Sequence, residues 1–422
     1  MTALNTVASR RYSLLPVVLL FVAIFAPVTI DMYMPGLPQI AADFGVAPAM
    51  VNLTVTATLI GLALGQLLGG PISDRFGRRR IVFTGAIAYV AVSALCALMP
   101  TIETLIIARL IQGTAAGFAI IASQAAGRDL YDGKQLARFF ARIAMAGGIA
   151  AAISPNIGAW LLRFLDWRGL FVAIAAIGAL VLAVVALAFT ETLAPDNRSN
   201  GGLGTTLSNA KELFRDRVFT GSLIIGALLA AALFGYISSA AFILQGIYGL
   251  NPQQFAAVVG VNAAGMVLAG FIGGRLAGSF GPNLPIKIGI GAVLVGGIVL
   301  LFGGLTAALP LPIVIAAMFT VAVGTAITSP AVSTQAVIGY PKAAGSAAAL
   351  LGVARFGAGA LIAPVVGLGN GESTLVLGLV VTAIAVSSVV TMRWLARTGQ
   401  ERVSWEPVRI SHPTTGSLVK VA

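Results

Sequence analysis

Runs of about 20 or more mostly apolar residues recur twelve times along this chain, and nearly every charge lies between them. A backbone placed in hydrocarbon must satisfy its own amide and carbonyl groups, which leaves each such run one simple solution, a membrane-spanning helix. The runs predict helices over residues 14–37, 48–71, 81–99, 101–124, 136–161 and 167–189, then 217–244, 253–275, 285–306, 309–332, 343–368 and 373–395. Twelve crossings use roughly 240 residues, which leaves room in a chain of 422 for short loops and one linker. With 58% hydrophobic and 9% charged residues, against roughly 25% charged in an average soluble domain, a two-domain soluble enzyme is excluded. The expected fold is an all-α membrane protein of twelve transmembrane helices in two pseudo-symmetric six-helix bundles. Residues 1–193 form the first bundle, 194–216 a cytoplasmic linker containing Ser199-Asn200-Gly201-Gly202, 217–396 the second bundle and 397–422 a cytoplasmic tail.

The formal net charge is +12, yet a nucleic-acid reader gathers its basic residues on one wet face, and here they sit between apolar runs. Their placement instead sets orientation, because Lys and Arg are retained on the cytoplasmic side. With residue 1 inside, Arg75, Arg78, Arg79, Arg80, Arg128, Lys134, Arg138, Arg198, Lys211, Arg275, Lys287 and Lys342 fall on inner loops, and only Arg163 and Arg168 fall on an outer one. Both termini are therefore expected in the cytoplasm. Arg10 and Arg11 precede an apolar run without a small-residue cleavage site, which reads as a retained first helix and not as a signal peptide. Cys96 is the only cysteine and His412 the only histidine, so no internal disulfide or Cys/His metal cluster can form. His412 reads as a solvated tail residue. Nothing in the sequence supports catalysis or a bound cofactor: it holds no phosphate loop, metal spacing or paired carboxylates.

The two halves repeat at the level of residues. Gly70-Pro71-Ile72-Ser73-Asp74-Arg75-Phe76-Gly77 follows the second run, and Gly274-Arg275-Leu276-Ala277-Gly278-Ser279-Phe280-Gly281 follows the eighth. Glycine permits close approach of two helix ends, and Asp74 can meet a helix N-terminus or an arginine. A loop needed only for topology would require basic residues but not Asp74. In the fourth run, Arg109-Leu110-Ile111-Gln112-Gly113-Thr114 carries an arginine at a depth that costs about 2.5–3.5 kcal/mol on insertion scales. Arg109 must therefore face a cavity or an acidic partner, or snorkel to the outer interface. In the first run, Ile30-Asp31-Met32-Tyr33-Met34-Pro35-Gly36-Leu37-Pro38 carries an acidic residue at similar depth.

Together these segments resemble the major facilitator superfamily. The Gly70, Asp74, Arg75, Gly77 and Arg78 pattern is similar to its cytoplasmic signature loop, and the Arg109 segment to its fourth-helix motif. The Asp31 segment resembles the Bcr/CflA drug-resistance exporters within it. Gly148, Ser154, Pro155 and Gly158 in the fifth run are similar to the superfamily's antiporter motif, with Ser154 and Ala159 in place of glycines. The resemblance implies a transporter of small molecules working by alternating access between two rocking halves. The signature loop would latch the halves on the inner side, with Asp31 and Arg109 as the proton-coupling pair. Burial favours a neutral acid and a neighbouring cation favours the carboxylate, so such a pair suits proton exchange. Helices one, four, seven and ten line the path in this superfamily, which implies Tyr33, Gln112, Phe234, Tyr236, Gln245, Thr325 and Thr328 as substrate contacts around an apolar, aromatic cavity with few charges. Arg355, in the eleventh run, is expected to partner Asp31, touch an anionic substrate, face a watery cleft or serve a structural role facing the bundle.

The function implied is proton-driven efflux of lipophilic or neutral drugs from the inner membrane by a monomer, with the proton gradient in place of a cofactor. Its alternatives are a uniporter or metabolite exporter with Asp31 structural, and a non-transporting membrane receptor or scaffold. The last leaves Asp31, Arg109 and Arg355 unexplained.

Overall fold

The computed structural model describes residues 15–131, 133–194, 196, 198, 213–306, 309–337, 344–368 and 373–397. Residues 1–14, the Ser199–Gly202 stretch, Lys211, Lys342 and most of the tail, including His412, lie outside them. Twelve helices are long and apolar enough to span a membrane, and no strand occurs among the described residues. They are α1 (Leu15–Phe44), α2 (Pro48–Phe76), α3 (Arg78–Cys96), α4 (Ile102–Leu130), α5 (Gly133–Leu161) and α6 (Trp167–Ala188). After the linker come α7 (Arg217–Ala241), α8 (Pro252–Phe280), α9 (Asn283–Thr306), α10 (Leu311–Val337), α11 (Ala344–Gly367) and α12 (Leu375–Arg397). A π-helical turn, Phe242–Ile247, extends α7.

The helix starts follow from local chemistry. Thr101 and Thr104 form a reciprocal cap on α4, Asn251 and Gln254 do the same for α8, and Pro252 occupies the first turn of α8 where its missing amide costs nothing. Asp166 accepts from Gly169 N at 3.0 Å and Asp216 from Val218 N at 2.9 Å, which starts α6 and α7.

Several helices outrun the apolar runs that predicted them. The first continues past residue 37 to Phe44, through a 3₁₀ turn at Met34–Gly36 that holds Pro35, with Pro38 in the first turn of the helical segment that follows. The second passes through Pro71 to Phe76, and α4 and α8 each run five or six residues beyond the expected end. Hydropathy marks where a helix leaves oil, and helices continue into the polar boundary until a backbone device stops them. For α2 that device is Gly77, whose φ of 96° few other residues adopt.

The helices pair in the same order in both halves. Helix α2 packs on α4 as α8 packs on α10; α3 on α4 and α6 as α9 on α10 and α12; and α1 on α5 as α7 on α11. The halves meet along α2 with α11 and α5 with α8. Close packing here depends on absent side chains: a Cβ built on Gly117 of α4 would stand 2.7 Å from the Leu62 carbonyl of α2, and one on Gly113 would collide with the Thr58 carbonyl.

Candidate substrate cavity and its charged residues

The polar centre of the first half is built on Arg109. Its side chain is 0% exposed, which excludes snorkelling to the interface. One guanidinium nitrogen donates to Gln112 Oε1 at 2.5 Å and another to the Thr29 carbonyl at 2.9 Å. The group lies 4.1 Å above the Tyr33 ring and 5.5 Å from that of Phe171, stacking that a planar guanidinium favours. Gln112 in turn donates to Ser93 Oγ at 2.6 Å, and Tyr33 and Thr54 hydroxyls are 3.1 Å apart. Thr29 and Tyr89 hydroxyls close the network at 2.8 Å.

This arrangement corrects the expected Asp31–Arg109 pair. No ion pair joins them, and Asp31, 9% exposed, has no hydrogen-bond partner among the described residues. The available acceptor for Arg109 is the Thr29 carbonyl, because the main chain of α1 and not the carboxylate turns toward α4. Asp31 ends the segment Phe25–Asp31 just before the break at Met32 and Tyr33. Beside that break, Gly158 of α5 is pressed against the Met32 carbonyl, so closely that a Cβ there would overlap it.

The signature loop forms a second cluster at the opposite end of the same half. Arg78 binds Asp74 and also donates to Ser73 Oγ at 2.7 Å and to Asp129 of α4 at 3.0 Å. Glu191, just after α6, accepts from the Arg78 and Arg79 amides at 2.9 and 3.3 Å and so caps α3. Every one of these bonds lies within the first half. The expected latch between halves is not engaged here, because the carboxylates of Asp129 and Glu191, which the sequence reading did not single out, satisfy the loop locally. Gly70 lies in the last turns of α2, and Arg75 lies 5.3 Å from the Phe76 ring.

On the side away from this loop the halves touch. Gln245, in the π-helical turn, donates to the Pro35 carbonyl at 3.3 Å, and Gln253 at the start of α8 donates to the Ala159 carbonyl at 2.8 Å. On the loop side a cavity of about 1080 Å³ opens between them, lined by α5 from the first half and α7, α8, α10 and α11 from the second.

Of the expected substrate contacts, Thr325, Thr328 and Arg355 line this cavity, and Gly148 borders it against Val267. The others do not. Tyr33 and Gln112 are committed to the Arg109 network, Phe234 packs on Phe356 with ring centroids 5.7 Å apart, the Tyr236 hydroxyl accepts from Asn262 at 2.7 Å, and Gln245 serves the closed seam. Ser154 is buried, with Pro155 inside α5 beside it. Among the described residues the lining is apolar as expected but has one aromatic, Phe271, and two cations, Arg142 and Arg355. Arg142 is a cavity residue that the sequence analysis does not single out; its place six residues on from the start of the run 136–161 is the signal that could have found it.

A family model described as Major Facilitator Superfamily matches residues 19–364. The chain belongs to this superfamily. It is 33% identical over 370 residues to a Bacillus subtilis protein described as "Uncharacterized MFS-type transporter YdgK", covering 86% of this chain and 90% of that one. It is 30% identical to a "Bicyclomycin resistance protein homolog" of Haemophilus influenzae, covering 81% and 85%. It is 28% identical to "Multidrug resistance protein MdtL" of Shewanella oneidensis, covering 87% and 91%. Among solved structures, a bacterial homolog of the human lysosomal transporter Spinster superposes with a TM-score of 0.70 at 19% identity, over 94% of this chain and 99% of that one. The chain is thus a multi-pass membrane transporter of the major facilitator kind, with drug-resistance proteins among its relatives, and not an enzyme.

Proposed function

We propose that this transporter exports small, largely apolar drugs in exchange for protons, with Asp31 as the proton carrier. The observation that carries the reading is a carboxyl group almost wholly buried at a break in α1, with no hydrogen-bond or ion-pair partner among the described residues. An acid in such a place changes the local electrostatics strongly when it gains or loses a proton, since little water screens it. The break is where that change has mechanical consequences. The Met32 carbonyl is wedged against α5 and the Pro35 carbonyl receives Gln245 from the other half. Charging or neutralising Asp31 acts on the segment that carries the seam between halves, and opening the seam exposes the other face of the cavity. Arg109 serves here as a positioning residue: by holding the Thr29 carbonyl it fixes the helix that presents Asp31. The relatives named for bicyclomycin and multidrug resistance support drugs as the cargo. The proposal includes a monomer in the plasma membrane with both termini cytoplasmic, the cavity facing the cytoplasm, and the proton gradient as the sole source of energy.

The test is uptake of radiolabelled bicyclomycin and chloramphenicol into inside-out vesicles across an imposed pH gradient. The native protein is expected to accumulate at least one of them. Asp31→Asn is expected to lose gradient-driven accumulation at least tenfold, while drug exchange without a gradient persists. Equal gradient-driven uptake by native and Asp31→Asn proteins removes Asp31 from the coupling step and favours a uniporter.

A further inference from the structure

Two guanidinium groups face the cavity from opposite halves of the protein: Arg142 from α5 and Arg355 from α11. Neither has an ion-pair or hydrogen-bond partner among the described residues, and no aspartate or glutamate among them lines the cavity. Arg355 lies eleven residues into a helix that spans the bilayer, about 16 Å from its start at 1.5 Å per residue. A cation at such a depth is expensive unless something compensates it. Elsewhere in this chain the compensation is visible: Arg78 has Asp74 and Asp129, Arg168 has Asp43, and Arg109 has a carbonyl, an amide oxygen and two aromatic rings. Arg142 and Arg355 line the cavity without any such partner among the described residues.

We infer that this cavity prefers, among the largely apolar drugs proposed above, amphipathic organic anions, whose carboxylate, sulfonate or phosphate meets Arg142 and Arg355 while the apolar body lies against residues such as Met266 and Phe271. Guanidinium groups bind planar oxyanions through paired donors, and on the same wall the Ser329 hydroxyl, which has no hydrogen-bond partner among the described residues, can donate to a remaining oxygen, whereas Thr328 and Ser333 donate to the Gly324 and Ser329 carbonyls. A cationic drug meets two like charges there and no counter-ion. The volume of about 1080 Å³ exceeds that of most drug-sized sites, leaving room for water around the anionic group. Because the two cations belong to different halves, an anion held by both would bridge those halves. Cargo recognition is thereby joined to the relative position of the halves. The inference rests on the transporter reading for the use of the cavity, but it does not depend on proton coupling at Asp31.

Equilibrium binding to the purified full-length protein in detergent, without any gradient, tests it. The probes share one ring system and differ only in charge: naphthalene-2-sulfonate, naphthalene-2-sulfonamide and (2-naphthylmethyl)trimethylammonium. The sulfonate is expected to bind at least tenfold more tightly than either of the others, with an affinity that falls as salt is raised. The sulfonate-to-sulfonamide affinity ratio should drop at least fivefold in Arg355→Gln and in Arg142→Gln, and recover in part in Arg355→Lys. Thermal unfolding of each variant establishes that it is folded. Equal binding of the three probes, a preference unchanged in both glutamine variants, or no binding of the sulfonate to folded native protein overturns the inference. Loss of gradient-driven flux in the vesicle assay with charge preference intact in detergent would instead fault the coupling reading alone.

Discussion

Arg109 and Arg355 occupy comparable places, each within a membrane-spanning helix of its own half, yet their surroundings differ completely. The first is sealed under Tyr33 and Phe171 with two acceptors in reach; the second projects into a cavity and bonds to nothing described. Both face the same cost of bringing a guanidinium away from bulk water; one replaces the water with protein dipoles and rings, and the other opens onto a cavity. A cation of the first kind has become part of the fold. A cation of the second kind remains available to a ligand.

The contrast can be broken by substitution. Arg109→Ala leaves the Thr29 carbonyl and the Gln112 side chain without their donor and opens a void under two rings, so it should cost about 3 kcal/mol or more of stability, read by denaturant unfolding in mixed micelles. An unfolding midpoint within error of the native protein's would show that the network is no more structural than the cavity wall. A smaller loss, about 1–3 kcal/mol, is expected for Gln112→Leu, which removes partners of both Arg109 and Ser93 but keeps the bulk of the side chain. Arg355→Ala should change stability least, by less than about 1 kcal/mol in either direction, because no bond among the described residues is lost. Should it instead destabilise as much as Arg109→Ala, Arg355 belongs to the packing and its availability to cargo is wrong.

The sequence disclosed depth well and direction poorly. Twelve spans, the glycine turn at Gly77 and the intramembrane arginine at 109 were all readable, because each depends on position along a helix. The partner of Arg109 was not, because that depends on rotation about the axis. Helix α4 is apolar or small on most sides, so no amphipathic stripe shows which way Arg109 and Gln112 point. The same ambiguity sent Tyr33 and Phe234 to the cavity when they face packed neighbours. Thr325 and Thr328, three residues apart on one face of α10, do line the cavity, and at that helical spacing one residue's direction predicts the other's. Arg142 was overlooked because charge near the start of a helix ordinarily means a loop. Prolines misled in the other direction: Pro35, Pro38 and Pro71 look like stops, yet α1 and α2 continue past them, by a tightened turn in the one case and within the helix in the other.

The seam that shuts the side away from the signature loop is held in part by two neutral amides on main-chain oxygens, Gln245 to Pro35 and Gln253 to Ala159, and among the described residues no ion pair crosses between the halves. A gate made of opposite charges would loosen as ions in the medium screened it. These dipolar clasps give dissolved electrolyte almost no purchase, so the ease with which this door swings should be much the same in dilute and in brackish surroundings.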